Sequence, residues 1–408
     1  MYDCIIVGAG PSGMMCAIKA SEKNKKVLLI DKNPYLGKKM SLTGGGRCNI
    51  TNLKDPNDFI EHLPTKNGRF LYSALSKFNP NDIFHFFEEL GVTLKVENDD
   101  RVFPKSDKAL DLITALHKKL IDNKVELKLA TEVLDIEKKN HFIVYTVNEK
   151  YFSQKLVIAT GGCSYPHTGS TGFGYEIAKK FNHHICELFP TESPIISFDE
   201  IIKSRVLQGL AFTNISLSLL NKNNKIIKAI NDDLIFTHFG LSGPSALKLS
   251  QFVYHELKKQ KTVKIMIDFL PQYDQFELKN ILLTKKETDK TIKVILKDFL
   301  PQRFIDFLLC DLKISTNQKI ANISNQQLDN IISKLKTFII EAHSIKPLKE
   351  AFVTGGGVNL QEINAQTMES KIVSGLYFCG EVLDLHGHTG GYNLTIALTT
   401  GYSAGLSI

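Results

Sequence analysis

Residues 3–32 read DCIIVGAGPSGMMCAIKASEKNKKVLLIDK, and this stretch decides the fold. A short apolar run ends at Gly8, an apolar helical pattern follows, and a second apolar run ends at Asp31. Gly8 permits a tight turn, Gly10 lets the backbone approach a pyrophosphate, and Gly13 lets the helix pack against the strand. The order of strand, glycine turn, helix and strand therefore predicts a dinucleotide-binding unit.

The acidic residue of this pattern is in the place that such a unit needs. Asp31 follows Gly13 by 18 residues, where its carboxylate can accept hydrogen bonds from the hydroxyls of an adenosine ribose. The amide groups at the start of the helix would face the phosphates, with the positive end of the helix dipole behind them. We expect Ser12 and Lys32 to belong to the same site.

A second glycine-rich stretch, SLTGGGRCNITN at 41–52, follows the second predicted strand. Neither a helix nor a strand favours three glycines in a row, because glycine loses the most backbone freedom on ordering. We expect the backbone to run here along an extended cofactor, between its ribose and its ring. The predicted contacts in and before this loop are Thr43, Gly44, Gly45 and Gly46, with positive charge from Lys38, Lys39 and Arg47.

The C-terminal part of the chain indicates which dinucleotide is bound. KLVIATGG at 155–162 reads as a buried strand, and 375–405 reads as a strand, a Gly-Glu pair, a glycine turn and a helix of small residues. A chain that begins with the fingerprint and ends in this way is built like an FAD flavoprotein. Gly380 and Glu381 would reach the ribitol and pyrophosphate, and the amides of the final helix would face the flavin ring. The predicted contacts from these segments and one further strand are Val133, Thr160, Gly161, Gly380, Glu381, Gly391, Tyr392, Asn393 and Leu394.

Composition sets the broad class. The 408 residues are 43% hydrophobic and 23% charged, which is typical of a globular protein, and no apolar run reaches the length of a membrane span. The first strand begins at once, which leaves no room for a signal peptide. The seven cysteines are scattered without metal-ligand spacing. We therefore expect a cytoplasmic protein with no membrane contact and no metal, and the oligomeric state stays open.

The positive charge is uneven. The net charge is +7, and residues 251–349 hold 17 Lys and Arg against 11 Asp and Glu. Such a region either contacts nucleic acid or is an ordinary lysine-rich surface. Both interpretations remain open at this point.

Five blocks of sequence together resemble one family of bacterial flavoproteins, the HI0933-like family. The matching segments are GKKMSLTGGGRCNITN (37–52), RVFPKSDKA (101–109), VIATGGCSYPHTGSTGFGYEIA (157–178), THFGLSGPSALKLS (237–250) and AFVTGGGVN with GLYFCGEVLDLHGHTGGYNLTIA (351–397). The resemblance implies non-covalent FAD in a Rossmann-like domain interrupted by a β-rich domain and a helical piece. It also implies one of several activities: dihydrouridine formation in 23S ribosomal RNA, aminoacetone oxidation, or a reductive step in bile-acid metabolism.

The predicted fold class is therefore α/β, with a discontinuous FAD domain at 1–190 and 347–408. Alternating hydrophobic residues predict an inserted β-rich barrel or sandwich over 191–273. Helical spacing of apolar residues predicts a helical subdomain over 274–346.

Two residues are candidates for proton transfer. Cys48 in the glycine loop could protonate a substrate carbon, or it could be a small buried residue that packs under the loop. His386 near the expected flavin face could do the same, or it could be a hydrogen-bonded loop histidine. Since only one dinucleotide fingerprint exists, NAD(P)H would visit as a transient co-substrate.

Three functions fit these patterns. The first is an NAD(P)H-dependent enzyme that reduces a uridine of 23S ribosomal RNA. The second is an oxidase of a small amine such as aminoacetone, with oxygen as the electron acceptor. The third is a non-catalytic FAD protein, which the glycine turn around the ring disfavours.

Overall fold

The computed structural model describes residues 1–408 and contains two compact units. The first unit is Met1–Phe189 together with Phe352–Ile408, and the second is Pro190–Ala351. Each unit has its own hydrophobic core. No helix in the structure combines the length and the apolar character that crossing a membrane requires.

A seven-stranded sheet forms the centre of the first unit. Its middle strand β1 (Tyr2–Val7) pairs in parallel with β2 (Val27–Ile30), and a buried run such as this is typical of a parallel sheet covered on both faces. Smaller sheets and further strands complete the unit: β3 (Thr51–Asn52), β4 (Leu94–Glu97), β5 (Arg101–Pro104), β6 (Glu126–Lys128), β7 (Val133–Lys138), β8 (Phe142–Thr146), β9 (Lys150–Ile158), β10 (Ile185–Thr191), and, from the C-terminal segment, β18 (Val353–Val358) and β19 (Leu376–Phe378).

The strand order of the central sheet brings the two ends of the chain together. The order is β6-β2-β1-β9-β8-β7. The amino-terminal part of β9 pairs with β8, and its carboxyl-terminal part, 156–158, pairs in parallel with β19. The carboxyl ends of β1, β2, β9 and β19 therefore lie at one edge of the sheet. Ligands of open α/β sheets bind at this edge.

The first unit also contains α1 (Pro11–Ser21), α2 (Pro56–Glu61), α3 (Tyr72–Leu75), α4 (Pro80–Glu89), α5 (Ala109–Asp122), α6 (Phe173–Lys180) and the C-terminal α13 (Tyr392–Leu406). The helices α1 and α13 pack backbone to backbone. A Cβ on Gly401 would lie 2.2 Å from the carbonyl oxygen of Ser12, and one on Gly405 would lie 2.5 Å from that of Cys16. Glycine at both positions therefore allows the first and last helices to touch.

The second unit is built around an antiparallel barrel. Its strands are β11 (Ile195–Ile196), β12 (Ala211–Leu220), β13 (Ile226–Phe236), β14 (Gly240–Ser242), β15 (Val263–Asp268), β16 (Phe338–Ala342) and β17 (Ser344–Ile345). The order is β16-β15-β12-β13-β14-β11-β17. Because only His343 separates β16 from β17, the sheet closes on itself at that residue.

Six helices accompany the barrel: α7 (Glu200–Lys203), α8 (Pro244–Leu257), α9 (Gln275–Thr284), α10 (Ile292–Leu296), α11 (Gln302–Asp311) and α12 (Asn325–Lys336). The starts of α9 and α12 are fixed by capping boxes, in which Asp274 pairs with Glu277 and Ser324 with Gln327. The predicted fold class is confirmed: a Rossmann-like domain with an inserted β-rich barrel and helices. The finer predicted division at 273/274 stays a prediction.

Candidate functional site

The three glycines of the turn after β1 differ in whether the fold would tolerate a side chain. A Cβ on Gly8 would lie 2.4 Å from the carbonyl oxygen of Ala159, and a Cβ on Gly13 would lie 1.9 Å from that of Gly8. Gly10 has an ordinary φ of −76°, and no protein atom lies within 4 Å of its missing Cβ. The absence of a side chain at Gly10 therefore leaves open space at the start of α1.

The start of α1 presents free donors beside that space. Pro11 occupies the first turn, and the amide groups of Ser12 and Gly13 have no acceptor within the helix. Ser12 is buried, and its Oγ would lie 2.5 Å from a Cβ on Gly380. The two ends of the chain thus form one surface around these donors.

Asp31 ties the second strand to the glycine turn. Its carboxylate accepts hydrogen bonds from the Ala9 amide at 2.6 Å and from the Asn33 amide at 2.7 Å. Lys38 Nζ donates to the side-chain oxygen of the same Asn33 at 3.2 Å. Lys32 donates instead to Thr171 Oγ1, at 3.1 Å on the exposed surface.

Lys39 and Glu381 form a partly buried ion pair in the first unit. The Lys39 Nζ lies 2.8 Å from Glu381 Oε2, and the Glu381 side chain is 20% exposed. Glu381 also accepts from the Thr354 amide at 2.9 Å and from Ser164 Oγ at 3.1 Å. Burial alone would raise the pKa of Glu381, but Lys39 and these donors together hold its pKa below the ordinary value.

The predicted contacts Thr160, Gly161 and Val133 have different environments. Thr160 Oγ1 is buried without a hydrogen-bond partner. A Cβ on Gly161 would lie 2.8 Å from Ser170 Oγ and 3.8 Å from Glu381 Oε2. Val133 is buried in β7, where it pairs with Thr146.

The three glycines of the loop adopt backbone angles that other residues rarely take. Gly44, Gly45 and Gly46 have φ values of 57°, 68° and 90°, and Thr43 before them is extended. Nothing lies within 4 Å of a Cβ on Gly45. This loop therefore needs glycine for its turn rather than for contact with protein atoms. It leaves an uncovered strip of backbone.

Arg47 is held by acidic side chains of the same unit. It makes ion pairs with Glu97 and with Asp107, the latter at 2.7 Å, and its guanidinium stacks on Phe103 at 4.1 Å. Lys95 joins both carboxylates. The hydrogen bonds to Asp107 and Glu97 raise the pKa of Arg47 further. Its predicted contact with a cofactor or anionic substrate stays a prediction, and that contact would require Arg47 to exchange these partners.

The start of α13 is packed on the loop that follows the glycines. A Cβ on Gly391 would lie 2.5 Å from the carbonyl carbon of Thr51. Thr51 Oγ1 lies 2.8 Å from Thr395 Oγ1, and Asn52 donates to the Gly390 carbonyl at 3.0 Å. These contacts fix the direction of the first helical turn. The free donors of that turn are the amide groups of Tyr392, Asn393 and Leu394.

The side chain of Asn393 has a separate role, because it holds the loop before α13. It accepts from the Gly387 amide at 2.9 Å and donates to the Gly387 carbonyl at 2.8 Å. Its backbone amide remains available at the helix start, whereas its side chain is committed to the loop.

The two candidate proton donors are both buried. Burial raises the pKa of the Cys48 thiol to about 12, although a hydrogen bond with Thr43 opposes this. Cys48 is fully buried, so proton donation to a substrate stays a prediction that requires the loop to move. His386 is 4% exposed and packs edge to face on Phe189, with ring centroids 5.6 Å apart. Its catalytic role also stays a prediction.

Three features agree that the first unit can hold an extended dinucleotide. Space is open at Gly10 and Gly45, and two helix starts offer free amides. Two buried polar atoms, Thr160 Oγ1 and Asn52 Oδ1, lack partners within the protein. The open space and the free amides therefore fit FAD, whose phosphates and ring oxygens accept hydrogen bonds.

Comparison with known proteins agrees with this geometry. Residues 2–407 match the family described as HI0933-like protein Rossmann domain. The chain belongs to the HI0933-like family. Two curated relatives, from Haemophilus influenzae and Escherichia coli, are named ribosomal RNA dihydrouridine synthase, and each is 31% identical over 411 residues. These alignments cover 99% and 98% of this chain and 98% and 96% of the relatives.

A third curated relative of this chain is named for a different activity. The 3-dehydro-bile acid delta(4,6)-reductase of Clostridium scindens is 27% identical over 409 residues, which cover 98% of this chain and 97% of the relative. Among solved structures, the 3-ketosteroid-delta4-(5alpha)-dehydrogenase of Rhodococcus jostii RHA1 aligns with a TM-score of 0.53 and 12% identity, over 100% of this chain and 96% of that chain. This structural likeness shows the shared fold. The HI0933-like chain is an FAD-dependent oxidoreductase.

The sequence did not predict several polar residues around the candidate cofactor site. Ser164 and Thr354 complete the setting of Glu381, and Thr51 with Asn52 orients the start of α13. The segment NITN at 49–52 was a signal for the second pair, because polar residues directly after a glycine loop are available to fix it. Nothing local to Thr354 indicated its contact with a residue 27 positions later.

One group of potential metal ligands lies in the second unit of the HI0933-like chain. Ligand atoms of Asp199, Glu341 and His343 come within 4.8 Å of one another. The Asp199 carboxylate accepts from the Glu341 amide at 2.8 Å, and His343 Nδ1 accepts from the Phe198 amide at 3.2 Å. The side chains of Asp199 and His343 therefore accept hydrogen bonds from backbone amides at the point where the barrel closes.

Proposed function

We propose that this protein reduces a uridine of 23S ribosomal RNA to dihydrouridine, with electrons from NAD(P)H and with bound FAD. The observation that supports this most is the likeness to two curated relatives named ribosomal RNA dihydrouridine synthase, at 31% identity over 98% or more of this chain. The reaction adds a hydride and a proton across the C5=C6 bond of the base.

FAD, when bound, supplies hydride transfer between a nicotinamide and an electron-poor double bond. Its phosphates would be held by the amides of Ser12 and Gly13, with Glu381 near its ribitol. The amides of Tyr392 and Asn393 would stabilise negative charge at the ring edge. The free donors and the open space described above support these roles.

The protein's own chemical task is to hold and deliver a proton. A thiol whose pKa is about 12 stays protonated at neutral pH, so Cys48 has a proton to give wherever a substrate can reach it. The other candidate is His386, an imidazole that can carry a proton and that lies buried in the loop before α13. NAD(P)H would use the same opening as the substrate, because the chain has one dinucleotide fingerprint.

A second candidate is reduction of a steroid-like enone, which the relative from Clostridium scindens supports. Uridine and a 3-keto-4,6-diene both present a carbon–carbon double bond conjugated to a carbonyl. The hydride chemistry is therefore shared, and the substrates differ in charge: an RNA is a polyanion and a steroid ketone is not. A basic surface favours the RNA substrate.

The test is deletion of the gene followed by mass mapping of 23S RNA. We expect one dihydrouridine of the wild-type 23S RNA to be replaced by uridine, which is lighter by two hydrogen atoms, and a plasmid copy of the gene to restore the heavier nucleotide. A plasmid copy that carries Gly10→Val should not restore it. If the deletion strain keeps every dihydrouridine, the proposal is wrong. The purified enzyme should then be assayed with a conjugated enone and with aminoacetone under oxygen.

A further inference from the structure

Two segments distant in sequence form one basic surface at an end of the barrel. The first is the turn from β12 to β13, NKNNKIIK at 221–228, and the second is HELKKQKTVK at 255–264, from the end of α8 into β15. Their lysines are all exposed. We call this the hairpin–helix surface, and its lysines are Lys222, Lys225, Lys228, Lys258, Lys259, Lys261 and Lys264.

Direct contacts join the two segments. Lys264 Nζ lies 3.2 Å from Asn224 Oδ1, which connects the start of β15 to the hairpin tip. Lys228 in β13 lies over the ring of Phe252 in α8, with 5.3 Å from Nζ to the ring centroid. Residues Ser216–Leu219 of β12 pair with Ile265–Asp268 of β15, so both segments leave the sheet at the same end.

This surface accounts for the whole net charge of the second unit. The unit contains 23 Lys and Arg against 17 Asp and Glu. The two segments contain seven lysines and one acid, Glu256, so the rest of the unit has 16 of each sign. Glu256 faces Lys259 at 2.9 Å. Glu341 is the cross-strand neighbour of Lys264 and belongs to the acid–histidine group at the barrel seam.

Five lysines of the helical part of the unit form ion pairs. Ion pairs link Lys279 to Asp329, Lys293 to Asp306 and Lys334 to Asp311, at 2.6 to 2.9 Å. Lys319 pairs with Asp289, and Lys336 pairs with Asp268. The predicted basic region at 251–349 therefore contains both a helical part in which five lysines are paired and a lysine surface with only one acid, Glu256. That surface extends outside the region, to the hairpin.

We propose that the hairpin–helix surface is the docking site for the phosphate backbone of the folded RNA substrate. This rests on the proposed function and names the part of the protein that holds the RNA. Clustered exposed lysines release condensed counterions when they meet phosphates, which supplies affinity without reading the sequence. The surface contains no arginine, so it lacks the bidentate group that most often reads a base edge. Choice of the target uridine must therefore come from other parts of the protein.

The test compares two triple variants of the full-length holoprotein with equal charge change. The surface variant is Lys222→Glu, Lys225→Glu and Lys261→Glu. The control is Lys290→Glu, Lys297→Glu and Lys313→Glu, three exposed lysines in the helical part of the same unit. Binding of a transcribed 23S RNA fragment is measured by fluorescence anisotropy over a range of KCl concentrations, and FAD content is measured from the flavin absorbance.

We expect the surface variant to bind RNA on the order of tenfold more weakly at moderate salt, with a salt slope smaller by about two to three. The control should retain the wild-type affinity and slope, and both should retain FAD. Equal losses in the two variants, or no RNA binding by the wild type, would overturn the docking site. The docking site would also be overturned if the surface variant lost binding to phosphatidylserine vesicles but not to RNA.

Failure of the proposed function gives a different result. If the surface variant loses RNA binding while the 23S RNA of the deletion strain is unchanged, the surface binds RNA and the uridine reaction is wrong. If the deletion strain loses dihydrouridine while both variants bind RNA normally, the reaction stands and the docking site is wrong.

Discussion

The two units of this chain differ in glycine content and in net charge. The first unit holds 24 of the 27 glycines and is nearly balanced in charge, with 27 Lys and Arg against 26 Asp and Glu. The second holds three glycines and a charge of +6. Glycine brings backbone amides close to a ligand, whereas lysine brings charge to a polyanion at the end of a flexible side chain. The contrast supports a division of labour, with cofactor binding in one unit and polyanion binding in the other.

If this division is real, a change in one unit should leave the other property intact. Four experiments test it, from the largest expected effect to the smallest.

The largest effect should come from Gly10→Val. Its side chain would fill the open space at the start of α1, where we expect the pyrophosphate, so FAD affinity should fall on the order of a thousandfold or more. The fold should survive, since no protein atom lies within 4 Å of the new Cβ and φ is ordinary. Isothermal titration with FAD and circular dichroism measure both.

Gly13→Ala is the control for that variant. Its Cβ would lie 1.9 Å from the Gly8 carbonyl oxygen, so it should destabilise the first unit by about 3 kcal/mol. A Gly10→Val protein that purifies with full FAD would contradict the cofactor site, and RNA affinity should be unchanged in it.

The next effect should come from Glu381→Gln. Loss of the charge leaves Lys39 without its carboxylate partner, which should cost about 2 kcal/mol of unfolding free energy at neutral pH. Because the folded-state pKa of Glu381 lies below its ordinary 4.5, the stabilisation is complete above that value and is lost as the pH falls through the folded pKa. Urea unfolding from pH 7 to pH 3 should therefore show the two proteins converging only at acid pH. A constant difference at every pH would mean that charge is not the cause.

A smaller effect should follow from the surface triple variant in a catalytic assay. Its kcat/KM for RNA should fall about tenfold at moderate salt, because phosphate contacts are lost while the reacting groups are untouched. The rate at which NAD(P)H bleaches the flavin absorbance should equal that of the wild type. If both rates fall together, the division between the units is wrong.

The smallest effect should come from Arg47→Gln. Since Glu97 and Asp107 already hold the guanidinium, FAD affinity should change by no more than about threefold, as for exposed ion pairs. Lys95→Gln, in the same charged group, is the matched control. A loss of tenfold or more for Arg47→Gln alone would show that this side chain leaves its carboxylates for the cofactor, as the sequence predicts.

Local patterns carried most of what the sequence predicted about the fold. The turn at Gly8–Gly13 and its helix depend on neighbours within 30 residues, so the Rossmann-like class was readable, and the family resemblance covered the inserted barrel. Contacts between distant residues were not readable. Lys39 meets Glu381 across 342 positions, and Lys264 meets the hairpin across 40.

The candidate site was predicted better in its backbone than in its side chains. Amide donors follow from where a helix starts, and the glycine pattern marks that point. Side-chain partners depend on what folding brings near, so the carboxylates around Arg47 could not be predicted from the loop itself. The loop left the burial of Cys48 as one of two open interpretations.

The glycine contact between α1 and α13 has a consequence for how the chain folds during synthesis. The first unit lacks β19 and α13 until residues 352–408 have left the ribosome, whereas the barrel is continuous from Pro190 to Ala351. Domains form as units during translation. The inserted barrel can therefore fold first. Until the C-terminal segment is synthesised, β9 lacks its partner strand β19 and α1 lacks its contact with α13. A chain that stops before α13 would carry a finished barrel and an FAD unit that cannot close.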